Sequence, residues 1–384
     1  MKWDKASAGK DVFIVADNVL SPLGKTTTEN FIKLREGRSA VREHTEREIS
    51  TQPFFASLFD KDAHFLTGDT NKYTRFERLL IASVENALQN CDISLADQKT
   101  ILIISSTKGN ISLLETEIND AALQKRISLP HSAKLVADHF GFVNQPVIVS
   151  NACISGVLAI ITGARLLRSG QYENAVIAGA DVITKFILSG FESFQALSAQ
   201  LCKPFDRSRD GLNLGEAAGT IILSTNEKYK GNLKVKGGSV SNDANHISGP
   251  SRTGKELAHA INKAMEEAAV SANDIGLISA HGTATVFNDE MEGSAITLAG
   301  LKSVPLNSLK GYYGHTLGAA GLIESIISVK SLQEGLILPT AGFEQAAPDT
   351  AVNVIAKRLT IKANNFVKTA SGFGGCNAAL VIGR

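Results

Sequence analysis

Residues 146–170 read PVIVSNACISGVLAIITGARLLRSG, and the fold is decided there. An apolar run ends near Ser150, a turn of small residues follows, and an apolar helical repeat begins after Cys153. Strand, tight turn and helix in that order make the unit of an α/β sheet. The pattern predicts the Cys153 thiol at or beside a helix N-terminus, where unpaired N–H groups carry roughly half a positive charge and favour a thiolate. The turn aims the side chain outward, and Gly156 reads as leaving room for another molecule to come close. A cysteine so placed is a nucleophile candidate, since the thiolate attacks thioesters. The bland alternative is a small buried hydrophobe.

Outward from that stretch the same alternation recurs. Short, apolar, β-branched runs stand at 12–16, 101–105, 146–150, 175–179 and 219–223. Their unbroken apolarity fits strands covered on both faces, as in parallel α/β sheets. Amphipathic stretches at 76–90 and 157–170 lie between them. The second half repeats the theme, with strands at 233–241, 276–281, 304–309, 365–371 and 377–383 and helices at 255–270 and 318–335. In each half a strand ends in a reactive residue, then a small-residue turn, then a helix. This predicts a duplicated α/β unit, residues 1–232 and 233–384, sharing one compact body with no linker. The Pro/Gly-containing HISGPSRTG (246–254) reads as a loop within that body.

Composition excludes several classes. The 39 Lys+Arg against 38 Asp+Glu leave no basic footprint for nucleic acid and no polybasic membrane segment. The N-terminal MKWDKASAGKDVFIV has scattered charges and only a short apolar stretch, unlike a secretory signal. No apolar segment approaches the roughly 20 residues needed to span a bilayer. Cys91, Cys153, Cys202 and Cys376 lie far apart, with neither a CxxC pair nor metal-ligand spacing. Reduced thiols in a cytoplasmic protein, with no metal, are expected.

Three further segments carry chemistry. HGTATVFNDEME (281–292) puts His281 at a strand end, Thr283 and Thr285 on a turn, and Asp289 and Glu292 at a helix start. LKGYYGHTLGAAG (309–321) sets Lys310 and His315 on either side of a glycine turn that opens a helix bearing Glu324. SGFGGCNAAL (371–380) is a glycine-rich turn between strands whose N–H groups suit an anionic oxygen. Taken singly, these would read as a satisfied histidine, an exposed lysine and a plain hairpin turn.

Together with KPFDRSRDGLNLGEAAG (203–219), these segments and NACISG resemble, in order and spacing, the elongating β-ketoacyl-acyl carrier protein synthases of the thiolase superfamily. The resemblance spans nearly the whole chain. It implies a thiolase-like fold: duplicated α/β halves in an α-β-α-β-α body. It also implies a decarboxylating condensation of a Cys153-bound acyl group with malonyl-acyl carrier protein. His281 and His315 would hold the malonyl thioester and stabilise the enolate, with Lys310 and Glu324 orienting them. The N–H groups of Cys153 and Phe373 would form the oxyanion hole, with Phe373 also gating entry and Gly374 binding substrate. Thr283 and Thr285 would bind the phosphopantetheine arm, which arrives on the carrier, so no cofactor is expected. The partners implied are an acyl carrier protein and a second copy of the chain, or a homologous subunit.

The chain departs from the family at several positions. Ile154 follows the nucleophile where a smaller residue is usual, predicting a tighter pocket mouth. Tyr312 and Tyr313 replace smaller residues, and Cys376 stands for threonine. In STKGN (106–110) the alignment puts Lys108 at the floor of the acyl pocket, predicting preference for short or functionalised acyl groups; the alternative is a displaced loop with Lys108 in solvent. Competing readings are a polyketide or polyene ketosynthase, a non-catalytic partner resembling chain-length factors, and a cysteine hydrolase or simple acyltransferase. The partner subunit usually lacks the cysteine. The hydrolase leaves His315 without a task.

Overall fold

The computed structural model describes residues 9–45, 47–60, 66–245, 249–348, 350 and 352–384. Residues 1–8 of the N-terminal stretch and 246–248 of the expected loop lie outside the described residues.

The apolar runs form one ten-stranded sheet among the described residues. The first half supplies β1 (Phe13–Leu20), β2 (Thr100–Ser105), β3 (Val147–Val149), β4 (Asn174–Asp181) and β5 (Ala217–Ser224). The second supplies β6 (Lys234–Asn242), β7 (Ile275–Ser279), β8 (Leu306–Asn307), β9 (Asn365–Gly372) and β10 (Cys376–Gly383). Within the sheet the order is β8-β7-β9-β10-β6-β1-β5-β4-β2-β3. Each half therefore lays its first strand beside its fifth, then its fourth, second and third. Duplication is plain in the topology although no identity is visible in the residues. The sheet is mixed rather than parallel throughout: β5 runs antiparallel to β1 and β4, and β10 to β6 and β9. A continuous apolar run reports two-sided burial, which β2, β5 and β10 have along their whole length, and says nothing of direction.

Helices complete the layers. Helices α1 (Arg75–Leu88) and α2 (Leu129–Phe140) pack on the outer face of the first half through Leu79, Leu80, Val84 and Val136. Two helices lie between the sheet halves: α3 (Ser155–Arg168), and α7 (Ala320–Glu334), whose Leu322, Ile323 and Ile326 share a core with Ile103, Ile160 and Phe366. A short helix, α4 (Lys185–Ser193), follows β4. Helices α5 (Lys255–Glu267) and α6 (Val286–Leu298) cover the outer face of the second half. The body is thus α-β-α-β-α. Helix α5 shows an apolar stripe, whereas α7 buries nearly every side chain, as a helix enclosed on all sides must.

The halves are stitched twice. β1 meets β6 antiparallel, with Phe13 opposite Lys234 and bonds from Ile14 N to Leu233 O (2.8 Å) and Val235 N to Val12 O (2.9 Å). At the centre, α3 and α7 touch through glycines. A Cβ on Gly156 would lie 2.5 Å from Leu322 N, and one on Gly321 would lie 2.5 Å from Val157 Cγ2. The space at Gly156 belongs to α7, which corrects the expectation that it admits another molecule. No helix among the described residues is long and apolar enough to cross a membrane.

Candidate active site

In both halves a central helix follows the third strand, so topology alone sets Cys153, before α3, and His315, before α7, in equivalent places. The turn before α3 carries Ala152 at φ +43, a region that residues with a Cβ seldom enter. Ser155 holds it: its Oγ donates to Ala152 O and accepts from Asn151 N, both at 2.7 Å. Cys153 is 8% exposed and lines a cavity of about 450 Å³ together with His281, Thr283, Thr285, His315 and Phe373. No side chain caps α3 from its Ncap position, Ile154. Burial nonetheless pushes the Cys153 thiol up to about 12, with Lys310 the largest opposing influence. With burial raising the thiol, the sulfur holds its proton at rest and gives it up as it attacks, in place of the resting thiolate expected from the helix start.

The glycine turn between β9 and β10 closes over this thiol. A Cβ on Gly372 would lie 3.0 Å from Cys153 N, 3.0 Å from Ala152 Cβ and 2.9 Å from Cys376 Sγ, so only glycine lets β9 pack on that amide. The Phe373 ring sits at the cavity wall against Phe191 (5.7 Å between centroids) and Phe194 (5.1 Å, edge-on). Gly374, at φ +86, is a turn residue in open space, and the lining residues are its neighbours Phe373 and Gly375.

The histidines face each other with ring centroids 5.3 Å apart, at 82°. His281 leaves the end of β7, where its N–H and that of Gly282 each donate to Glu292 at 2.8 Å. The Thr369 hydroxyl donates to the same carboxylate at 2.5 Å. Lys310 Nζ lies 3.4 Å from His281 Nδ1 and donates to Glu324 Oε1 at 2.7 Å. Lysine has only protons to offer, so we assign the His281 proton to Nε2. Burial first, and then the neighbouring Lys310, hold both imidazoles well below the usual histidine range. Both rings are neutral at physiological pH. The Thr283 and Thr285 hydroxyls lie 2.8 Å apart on the cavity wall.

Lys108, expected at the pocket floor, is exposed and off the cavity, its ammonium 5.5 Å from the Phe186 ring centroid. The loop is turned by Asp181, which accepts from Ser106 Oγ (2.8 Å), Thr107 N (3.1 Å) and, across to the start of α7, Gly318 N (2.7 Å). Tyr312 and Tyr313 are buried in the core, with Tyr312 OH donating to Pro339 O at 3.0 Å. Ile154 is likewise a core residue and not a narrower mouth. Sequence reasoning missed Lys368, whose Nζ stands 2.7 Å from Glu324 Oε2. The available signal was a lysine inside the apolar run NFVKTAS. Among the described residues, no group of three or more His, Cys, Asp or Glu side chains is placed to hold a metal ion.

Comparison with known proteins gives one family. Residues 9–229 match the family described as Beta-ketoacyl synthase, N-terminal domain, and residues 233–344 its C-terminal domain. The chain is 30% identical to the 3-oxoacyl-[acyl-carrier-protein] synthase 2 of Vibrio cholerae, over 97% of this chain and 99% of that protein. It superposes on the ishigamide ketosynthase/chain length factor with a TM-score of 0.89 at 26% identity, covering 98% of this chain and 99% of the other. A ketosynthase from Xenorhabdus doucetiae, solved in complex with its chain length factor, gives a TM-score of 0.87 at 25% identity with both chains covered completely.

Proposed function

The chain belongs to the β-ketoacyl synthase family, and from that membership we propose how its residues divide a decarboxylating condensation on carrier-bound acyl chains. One observation carries the assignment: Cys153, His281 and His315 line a single cavity, with Lys310 and Glu324 behind His281.

In the first half-reaction the Cys153 sulfur attacks the carbonyl carbon of an acyl thioester as its proton leaves. The carbonyl electrons collapse back, the carbon–sulfur bond to the carrier's phosphopantetheine breaks, and the carrier thiolate takes a proton. Charge developing on the oxygen is met by the N–H groups of Cys153 and Phe373, a pair whose members are each typically worth roughly 10²–10³ in rate. In the second, malonyl thioester binds with its arm along Thr283 and Thr285 and its carbonyl oxygen toward His281 and His315. The bond to the carboxylate breaks, carbon dioxide leaves, and the electron pair moves onto the thioester oxygen as an enolate. Nε2–H of His281 donates to that oxygen. The enolate oxygen's electrons re-form the thioester carbonyl as the enolate carbon attacks the acyl-Cys153 carbonyl. A carbon–carbon bond forms, the resulting oxyanion collapses, the bond to the Cys153 sulfur breaks, and the thiolate takes a proton from water.

The partner is an acyl carrier protein, in the cytoplasm, and the assembly is a dimer. Likeness to a ketosynthase solved with its chain length factor favours a second reading of the assembly, a heterodimer with a homologous subunit. Intact-protein mass after incubation with acyl carrier proteins tests the chemistry. The wild type should gain an acyl mass that Cys153→Ala does not, and lose it as a β-ketoacyl product when malonyl carrier is added. Acylation without carbon dioxide release would instead indicate a simple acyltransferase.

A further inference from the structure

Lys368 lies in the middle of β9, wholly buried, on a strand whose Phe366, Val367 and Ala370 pack in apolar cores. A buried ammonium is tolerated only when hydrogen-bonded and paired; this one donates to two backbone carbonyls and stands against one carboxylate oxygen as an ion pair. Glu324 Oε2 is at 2.7 Å, Ser279 O at 3.1 Å and Ala280 O at 3.0 Å. The two carbonyls are the last before His281. The carboxylate is the one whose other oxygen holds Lys310, itself against His281 Nδ1. Lys368 therefore grips His281 from two sides, through the backbone that delivers it and through the ion chain that orients its ring.

Given the condensing reaction proposed above, we propose that Lys368 is a positioning residue for decarboxylation. It holds Glu324 by its second oxygen, fixes Lys310 on Nδ1 of His281, and adds a positive charge behind the histidine pair. The charged and titratable groups facing it are Glu324 on α7, Glu292 on α6, Lys310, and the two rings of His281 and His315. Glu292 is already engaged by the His281 and Gly282 amides and the Thr369 hydroxyl. Lys310, Glu324 and Lys368 thus form a chain of two cations on one anion. That chain favours electron density arriving on the thioester oxygen and disfavours a proton arriving on either ring. Acyl transfer to Cys153 draws chiefly on the oxyanion amides, and of the lysines in this chain it is Lys310 and not Lys368 that acts on the thiol. The two half-reactions should therefore respond differently when Lys368 is removed.

The test is Lys368→Met, which keeps the length and removes the charge. Its rate of acyl transfer to Cys153 should stay within about twofold of wild type. Its kcat for carbon dioxide release from malonyl carrier should fall roughly 10- to 100-fold, with KM little changed. The acid limb of that kcat should move to higher pH by about one unit, because a cation that opposed ring protonation is gone. Equal losses in both half-reactions with an unmoved acid limb would reduce Lys368 to a structural residue and overturn the proposal, as would unchanged decarboxylation. A wild type that acylates Cys153 but releases no carbon dioxide would overturn the condensing reading and this proposal together. If Lys368→Met does not fold, Lys368→Gln takes its place in the same assays. An independent reading comes from ¹⁵N spectra of the wild type, with peaks assigned by their loss in His281→Asn and His315→Asn. Both rings should titrate well below the ordinary histidine range. A ring titrating at the ordinary histidine value of 6.5 would overturn the proposal.

Discussion

Gly156→Ala places one methyl group in the contact between the two helices that bring the site together. The added carbon would stand 2.5 Å from Leu322 N, 3.0 Å from Gly318 O and 3.0 Å from Leu322 Cβ. Unstrained carbon contacts begin at about 3.5 Å, and backbone atoms cannot rotate aside, so α3 and α7 must part by about 1 Å. Overpacking of this kind costs about 1–3 kcal/mol, against which alanine returns up to about 1 kcal/mol of helix propensity. With roughly 2.1 cal/mol/K of unfolding entropy per residue, the melting temperature of a chain this long should drop by only a few degrees at most. Activity is far more sensitive. The separation of α3 from α7 sets the distance from Cys153 to His315, and a misplacement of about 1 Å can lower a rate by about 10²-fold. Condensation measured by product formation should therefore fall roughly 10- to 100-fold in a protein that still melts cooperatively. Gly190→Ala, where a Cβ meets nothing within 4 Å, is the control and should melt no lower than wild type. Wild-type condensation by Gly156→Ala would refute the argument that this contact fixes the site.

Other outcomes follow from the same geometry. Because burial pushes the Cys153 thiol up to about 12, its alkylation by iodoacetamide should quicken close to tenfold per pH unit from 7 to 9; a plateau in that range would mean that the thiolate is already formed. Gly372→Ala fills the space 3.0 Å from Cys153 N, so Cys153 acylation should slow by roughly 10²–10³-fold, and a loss under fivefold would remove that amide from the oxyanion site. Lys108→Ala should leave the ratio of hexanoyl to tetradecanoyl turnover within about twofold, since the side chain is exposed and off the cavity; a larger change would restore the pocket-floor reading.

Much of this site was legible because its residues sit where chain topology is loudest. Cys153, His281 and His315 each come after a strand, His281 and His315 directly beside glycine and Cys153 in a turn of small residues, and Glu324 is an acid among the apolar residues Leu322, Ile323, Ile326 and Ile327 of its helix. Physical pattern reading reaches such places, and the resemblance to a family joined them. Lys368 escaped because a lysine in a strand ordinarily reads as the solvent face of a period-two pattern, and only the sheet shows that β9 has no solvent face. Gly156 was misread for a related reason: a glycine announces a close approach without naming what approaches. Lys108 turned on loop direction, which Asp181, 73 residues downstream, decides through its hydrogen bonds. Strand direction was hidden too, since the antiparallel β5 and β10 are buried along their whole length just as β2 is between its parallel neighbours.

The seam between the halves governs how the enzyme breathes. A hydrogen-bonded sheet crosses it through β1 and β6, and interlocked glycines bolt α3 to α7, so the two halves are held together at both places. Opening the cleft like a jaw would break backbone bonds and tear the largest core. Traffic in and out of the cavity must then be handled by side chains at its mouth, where Phe373, Phe191 and Phe194 are the movable pieces. Ring and loop motions of that kind run in nanoseconds to microseconds, so access to such a cavity is gated far faster than by the closure of a whole domain.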